Sequence, residues 1–175
     1  MEIYRYQPDP DNYESLGTLR ENWRALDAFA YCRSVAKDWE PLQLQANSMK
    51  GHYGDFPSLE NHAPVFSARA WEVLCPLIES SVEVLPVICS AGTYVLINVL
   101  DQVDCLDLGK TQLVINPVSG NVTAVRGHAF QKERLEGKHI FKTAQTAGLE
   151  VLVSDKFKEA VEANDLKGLQ FKKLG

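Results

Sequence analysis

Bulky apolar and polar residues alternate with a period of two at several places along the chain, and that alternation predicts strands. Ile3-Tyr4-Arg5-Tyr6 opens the chain as a short strand closed by Pro8 and Pro10, and Glu40-Pro41-Leu42-Gln43-Leu44-Gln45 has one face to bury. Residues 82–89 and 93–99 flank Ser90-Ala91-Gly92, a short link that predicts a hairpin. Residues 113–115 and 122–125 do the same around Asn116-Pro117-Val118-Ser119-Gly120-Asn121. Further strands are expected at 139–141, at 149–153 and around Leu169 and Phe171.

Helical spacing is rarer. Residues 18–29 place Leu19, Trp23 and Leu26 on one side of a helix. Ser67 has the chemistry of an N-cap, and behind it Trp71, Leu74, Cys75 and Ile78 form an apolar stripe, with Pro76 expected to kink or restart the helix. Ser154 or Asp155 caps a last helix that turns Phe157, Ala160 and Val161 inward. Between Asn47 and Asn61 the Gly, Pro and polar residues predict turns. Strand pairs joined by short turns, with few helices, predict an α+β fold: an antiparallel or mixed β-sheet with a few helices packed on one side. The 175 residues fit one domain spanning 1–175, long enough to bury a core without staples.

Charge narrows the function. Lys and Arg number 18 against 23 Asp and Glu, a formal net charge of −5. A nucleic-acid binder needs a basic face to displace counterions, and the densest basic stretch, Lys167 to Lys173, is thin, so no nucleic-acid partner is expected. The apolar runs are far shorter than the ~20 residues that span a bilayer, and the N-terminus lacks the pattern of a secretory signal, so no membrane partner and a cytoplasmic location are expected. Cys32, Cys75, Cys89 and Cys105 have no C-x-x-C spacing, and reduced thiols are expected.

Candidate chemistry is sparse. His52, His62, His128 and His139 pair neither with one another nor with a cysteine at zinc spacing, so no metal is expected. Asp101, Asp104 and Asp107 recur every third residue, but an extended chain puts Asp104 on the opposite face from the other two, and turn contacts explain them better. Asp55, His62 and Ser67 come nearest to a nucleophile set, although the cap explains Ser67. Gly51-His52-Tyr53-Gly54 lacks the residues of a phosphate loop. No catalytic residue and no cofactor are assigned. Arg69 falls in the first turn of the Ser67 helix, where the dipole disfavours a cation, so a carboxylate such as Asp55 or Asp104 is expected to hold it. Trp71 reads as core, whereas Trp23 and Trp39 flank polar sequence and suit a contact surface.

Several short blocks, taken in order, carry a resemblance. They are Ile3-Tyr4-Arg5, Trp39-Glu40-Pro41-Leu42, Asp55-Phe56-Pro57-Ser58-Leu59, Pro64-Val65-Phe66-Ser67-Ala68-Arg69-Ala70, Leu85-Pro86-Val87, Asn98-Val99, Val103-Asp104-Cys105-Leu106-Asp107, Ile140-Phe141-Lys142 and Gly168-Leu169-Gln170-Phe171-Lys172-Lys173-Leu174. The most specific is P-V-F-S-x-R-A. Together they resemble a bacterial family first catalogued as a domain of unknown function and later proposed as the eleventh immunity class of polymorphic toxin systems. The resemblance implies a cytoplasmic antidote that binds a cognate toxin protein and occludes it without catalysis. Trp39, Asp55 and Arg69 are the residues expected at that contact. The alternatives are a hydrolase or transferase whose site gathers distant residues, and a general protein-interaction module.

Overall fold

The computed structural model describes residues 1–19, 23–59 and 63–175, and the backbone alone at Trp23. The helix expected over 18–29 is not what forms there. Leu16–Thr18 is instead a strand (β2), and a 3-10 helix covers Trp23–Tyr31. Within that helix Leu26 and Phe29 are buried, three residues apart as a threefold helix requires, while Leu19 is left 39% exposed.

Two five-stranded sheets make up most of the fold. The first runs β12 (Leu169–Leu174), β1 (Ile3–Pro8), β11 (Leu152–Ser154), β10 (Ile140–Thr143) and β7 (Gln102–Val103). The second runs β2, β3 (Leu42–Ala46), β5 (Val82–Cys89), β6 (Tyr94–Val99) and β4 (Val65–Ser67). Each contains one parallel pairing, β10 with β7 and β3 with β5, among antiparallel ones, so both sheets are mixed. The fold is α+β, and both expected hairpins form. The second, β8 (Gln112–Ile115) with β9 (Val122–Gly127), makes a separate two-stranded sheet.

Period-two alternation sorts the side chains into three cores. In β4, Val65 and Phe66 point to different clusters, as do Leu96 and Ile97 in β6, Leu152 and Val153 in β11, and Ile140 and Phe141 in β10. The largest cluster unites both sheets with two helices, α1 (Ala68–Ile78) and α2 (Asp155–Ala163), through Tyr6, Phe66, Ile97, Ile140 and Val153. Ala70, Leu74 and Ile78 of α1 and Phe157 and Val161 of α2 bury into it. The opposite faces are covered by the Trp23–Tyr31 helix on the second sheet and by Cys105 and Leu135 on the first.

Both caps are side-chain hydroxyls: Ser67 Oγ accepts from the Ala70 N–H at 3.0 Å, and Ser154 Oγ from the Phe157 N–H at 3.2 Å. The buried line of α1 runs through Ala70, Leu74 and Ile78, while Trp71 and Cys75 are half-buried. The helix also continues through Pro76 without restarting. Pro76 and Glu72 are both exposed, so the carbonyl that proline leaves without a donor faces water, where the loss costs least.

Candidate functional site

Asp55 and Arg69 come together at one end of the two helices. Asp55 Oδ1 accepts from Ser67 Oγ at 2.6 Å, its Oδ2 accepts from the Lys167 N–H at 2.8 Å, and Arg69 Nη1 lies 3.6 Å from Oδ2. The backbone of Asp55 joins the same knot, donating to the Lys167 carbonyl at 2.7 Å and accepting from the Ser67 N–H at 2.8 Å. Gly54 makes this approach possible: a Cβ there would lie 2.9 Å from the Lys167 carbonyl oxygen and 3.2 Å from Gly168 Cα. Arg69 also donates to the Asn164 carbonyl at the end of α2, and its side chain is 57% exposed. Of the two carboxylates weighed for Arg69, Asp55 is the one that holds it; Asp104 pairs with Arg134 at 3.1 Å.

Trp39 sits elsewhere. Its Nε1–H donates to the Pro86 carbonyl of β5 at 2.9 Å, and its ring tilts against Phe29 with centroids 6.0 Å apart. It is half-buried between exposed Asp38 and Glu40. No contact joins it to Asp55 or Arg69 among the described residues. The side chain of Trp23 lies outside the described residues, and so does His62, which leaves Asp55 and Ser67 of the nucleophile set. There Ser67 donates to Asp55 and caps α1.

Asp101, Asp107 and His139 each have a partner of their own. Asp101 accepts from Ser81 Oγ at 2.7 Å and from Lys138 Nζ at 2.9 Å; Asp107 accepts from the Gly109 N–H at 3.1 Å, a local turn contact. His139 Nδ1 lies 2.9 Å from Ser154 Oγ. No group of three or more His, Cys, Asp or Glu arranged to hold a metal occurs among the described residues.

Glu150, Glu14 and Lys142 are among the buried charges that the sequence left unmarked. Glu150, 7% exposed, accepts two bonds from Arg5 (2.7 and 3.0 Å) on one oxygen, while His128 Nε2 lies 2.8 Å from the other. Burial alone would raise this carboxyl, but the His128 hydrogen bond and the charges of His128 and Arg5 outweigh it and hold it below its ordinary value. Glu14, fully buried, accepts from Ser48 Oγ and from the N–H groups of Ser48, Lys50 and Gly51, and the Ser48 hydroxyl leads in drawing its carboxyl down to about 2.

The third is Lys142 on β10, 6% exposed. The signal that could have found it was present: alternation puts Lys142 on the same buried face as Ile140. Lys142 and Glu150 both line a cavity of about 560 Å³ beneath the Trp23–Tyr31 helix. A second concavity of about 570 Å³, lined by residues of β1 and β9, shares Leu149, Glu150 and Val151 with the first.

Charge is divided unevenly along the chain. Residues 1–88 hold 13 Asp and Glu against 7 Lys and Arg, whereas residues 89–175 hold 10 against 11. The acidic surplus therefore lies in the half that carries Trp39, Asp55 and Arg69. The β8–β9 hairpin, in the other half, exposes Ile115 and Val118 near and at its turn. No helix among the described residues is long and apolar enough to cross a membrane.

No curated protein matches the chain. A family model does. Its match begins at the end of β5 and covers β6 to β12, including the hairpin, His128, Lys142 and Glu150, and it leaves out Trp39, Asp55 and Arg69. Residues 89–175, just under half of the chain, match the model of the immunity protein family (Imm11), the family that its sequence blocks resemble.

Proposed function

We propose that this chain is an immunity protein of a polymorphic toxin system, which binds a cognate bacterial toxin domain in the cytoplasm and neutralises it by covering it, with no chemistry of its own. The observation that carries the reading is the match of residues 89–175 to the immunity protein family. It agrees with the sequence resemblance, which runs over nearly the whole of residues 1–175, taken here as one domain. The acidic surplus in residues 1–88 suits a basic toxin surface, where complementary charge speeds encounter and selects the partner. An occluding interface would bury roughly 1,200–2,000 Å² around a few aromatic or arginine anchors. Trp39 and Arg69 are our candidates for anchors, with Asp55 holding Arg69 in place.

Co-expression with the toxin domain encoded beside this chain tests the reading. Cells that carry both are expected to grow, cells with the toxin alone to die, and the two proteins to co-purify. Growth without co-purification would sink occlusion as the means.

A second reading, an enzyme with a site gathered from distant residues, draws on one observation: Lys142 and Glu150 line the same cavity. Protection by binding alone, retained when Lys142 and Glu150 are both neutralised, separates the two.

A further inference from the structure

The cavity beneath the Trp23–Tyr31 helix contains an unexplained charge. Lys142 reaches it from β10, a strand buried at every position. Among the described residues the ammonium has one hydrogen-bond acceptor, the Phe29 carbonyl, and no carboxylate within salt-bridge distance. Three donors and a full charge are thus met by a single neutral oxygen. Burial pushes the ammonium below its ordinary value, as it must where the charged form loses its water. Charge of this kind is costly, and folds retain it where something else completes it.

The rest of the wall says what would. Leu26, Phe29, Ala30, Ala147 and Val151 are apolar, and besides Glu150 the lining holds one further carboxylate, Asp27, which is exposed to solvent. Glu150, the buried carboxylate on the wall, is already met by Arg5 and His128, so its charge is not left to repel an incoming anion. A volume of about 560 Å³ falls within the range of small-molecule sites, which are mostly apolar with a few placed polar groups. Lys142 also lies beneath a helix rather than at the surface, which favours a free molecule over a side chain presented by a protein.

We propose that this cavity binds a small organic acid, its carboxylate on the Lys142 ammonium and its apolar body against Leu26, Phe29 and Val151. The site is independent of the toxin contact, and loss of either would leave the other standing.

Calorimetric titration of the full chain with hexanoate tests this, with hexan-1-ol as the uncharged analogue. Hexanoate is expected to bind saturably and hexan-1-ol at least tenfold more weakly. Lys142→Met should weaken hexanoate at least tenfold and leave hexan-1-ol unchanged. Ala30→Met, which fills the space and keeps the lysine, should abolish both; Ala30 lies where the walls close, 3.5 Å from a Cβ built on Gly148. Equal affinity for the acid and the alcohol, hexanoate binding undiminished in Lys142→Met, or no binding of hexanoate at millimolar concentration each overturns the proposal.

Discussion

Ser67 donates its hydroxyl hydrogen to Asp55 at 2.6 Å while the same oxygen accepts from the Ala70 N–H at 3.0 Å. The cap of α1 is therefore itself held in place, by a carboxylate that also ties down the Lys167 N–H beyond α2. One side chain fixes the start of one helix against the turn that follows the other. Asp55→Ala leaves the Lys167 donor and the Ser67 hydroxyl without this acceptor, and is expected to cost about 2–3 kcal/mol. Urea unfolding followed by circular dichroism checks it. A loss under about 0.5 kcal/mol, the size of an ordinary surface change, would mean that water replaces the carboxylate at no cost.

Glu14 predicts the behaviour in acid. Its carboxyl is drawn down to about 2 in the folded chain, first by the Ser48 hydroxyl and then by three backbone N–H groups. A folded value below the unfolded one means that the unfolded chain binds more protons in between. The stabilisation from Glu14 is therefore complete above the ordinary glutamate value of about 4.3 and fades as pH falls from there towards 2. Glu14→Gln should flatten the fall in stability across that window. An unchanged acid profile in the variant would contradict the assignment.

Burial of Glu150 gives a prediction of the opposite kind. Its side chain is 4% exposed and is shared by Arg5 and His128. Removing one member of a buried ionic group strands the others, so Glu150→Ala is expected to cost about 3–5 kcal/mol. Chemical denaturation measures it, and a cost below about 1 kcal/mol would show that Arg5 and His128 find water instead.

Much of this was legible in the chain. The Ser67 cap, a second cap at Ser154 or Asp155, both hairpins and the period-two strands were readable because each is set by neighbours in sequence. Local signals also pointed to a carboxylate for Arg69, Asp55 or Asp104, since a cation in a first helical turn needs an anion. What stayed hidden was set across distance. The parallel pairing of β3 with β5 joins Leu42 to Val87 and leaves no mark at either position. β7 is two residues long, too short to show a period. Leu19 and Leu26 share a helical spacing, yet Leu16–Thr18 pairs with β3, and tertiary pairing overrode local propensity. Glu150 sits among apolar residues, where the pattern says it is buried and only the fold says that Arg5, 145 positions away, meets it.

Lys142→Met is expected to make the chain more stable, by about 1 kcal/mol or more. A methionine fills similar space, and exchanging buried charge for an apolar side chain is often neutral or stabilising. The sign on the pH axis follows from the lowered lysine value. Between that value and the ordinary one the unfolded chain holds the extra proton, so the wild type gains stability as pH rises there, whereas the variant does not. Denaturation midpoints at neutral and alkaline pH check both statements. A variant less stable than the wild type would mean that the bond to Phe29 outweighs the buried charge.

Of the three residues nominated for the toxin contact, Arg69 gives the cleanest test. Asp55 is a structural knot, and Trp39 carries a hydrogen bond to Pro86 and packing on Phe29, so alanine at either position lowers stability and blurs any loss of protection. Arg69 is 57% exposed, its pair with Asp55 at 3.6 Å is long, and its other bond, to the Asn164 carbonyl, is made at the surface, where water can replace it. Ion pairs of that kind contribute about 0–1 kcal/mol, so Arg69→Ala should unfold near the wild-type midpoint. If the guanidinium anchors the toxin, affinity should fall at least tenfold, about 1.4 kcal/mol, and protection in co-expression should fall with it. The hairpin supplies the contrast. Val118 is 94% exposed and belongs to the half that matches the immunity family, so Val118→Asp is equally harmless to folding. Protection lost with Arg69→Ala and kept with Val118→Asp places the contact at the ends of α1 and α2. The reverse result moves it to the turn between β8 and β9 and removes Arg69 from the interface.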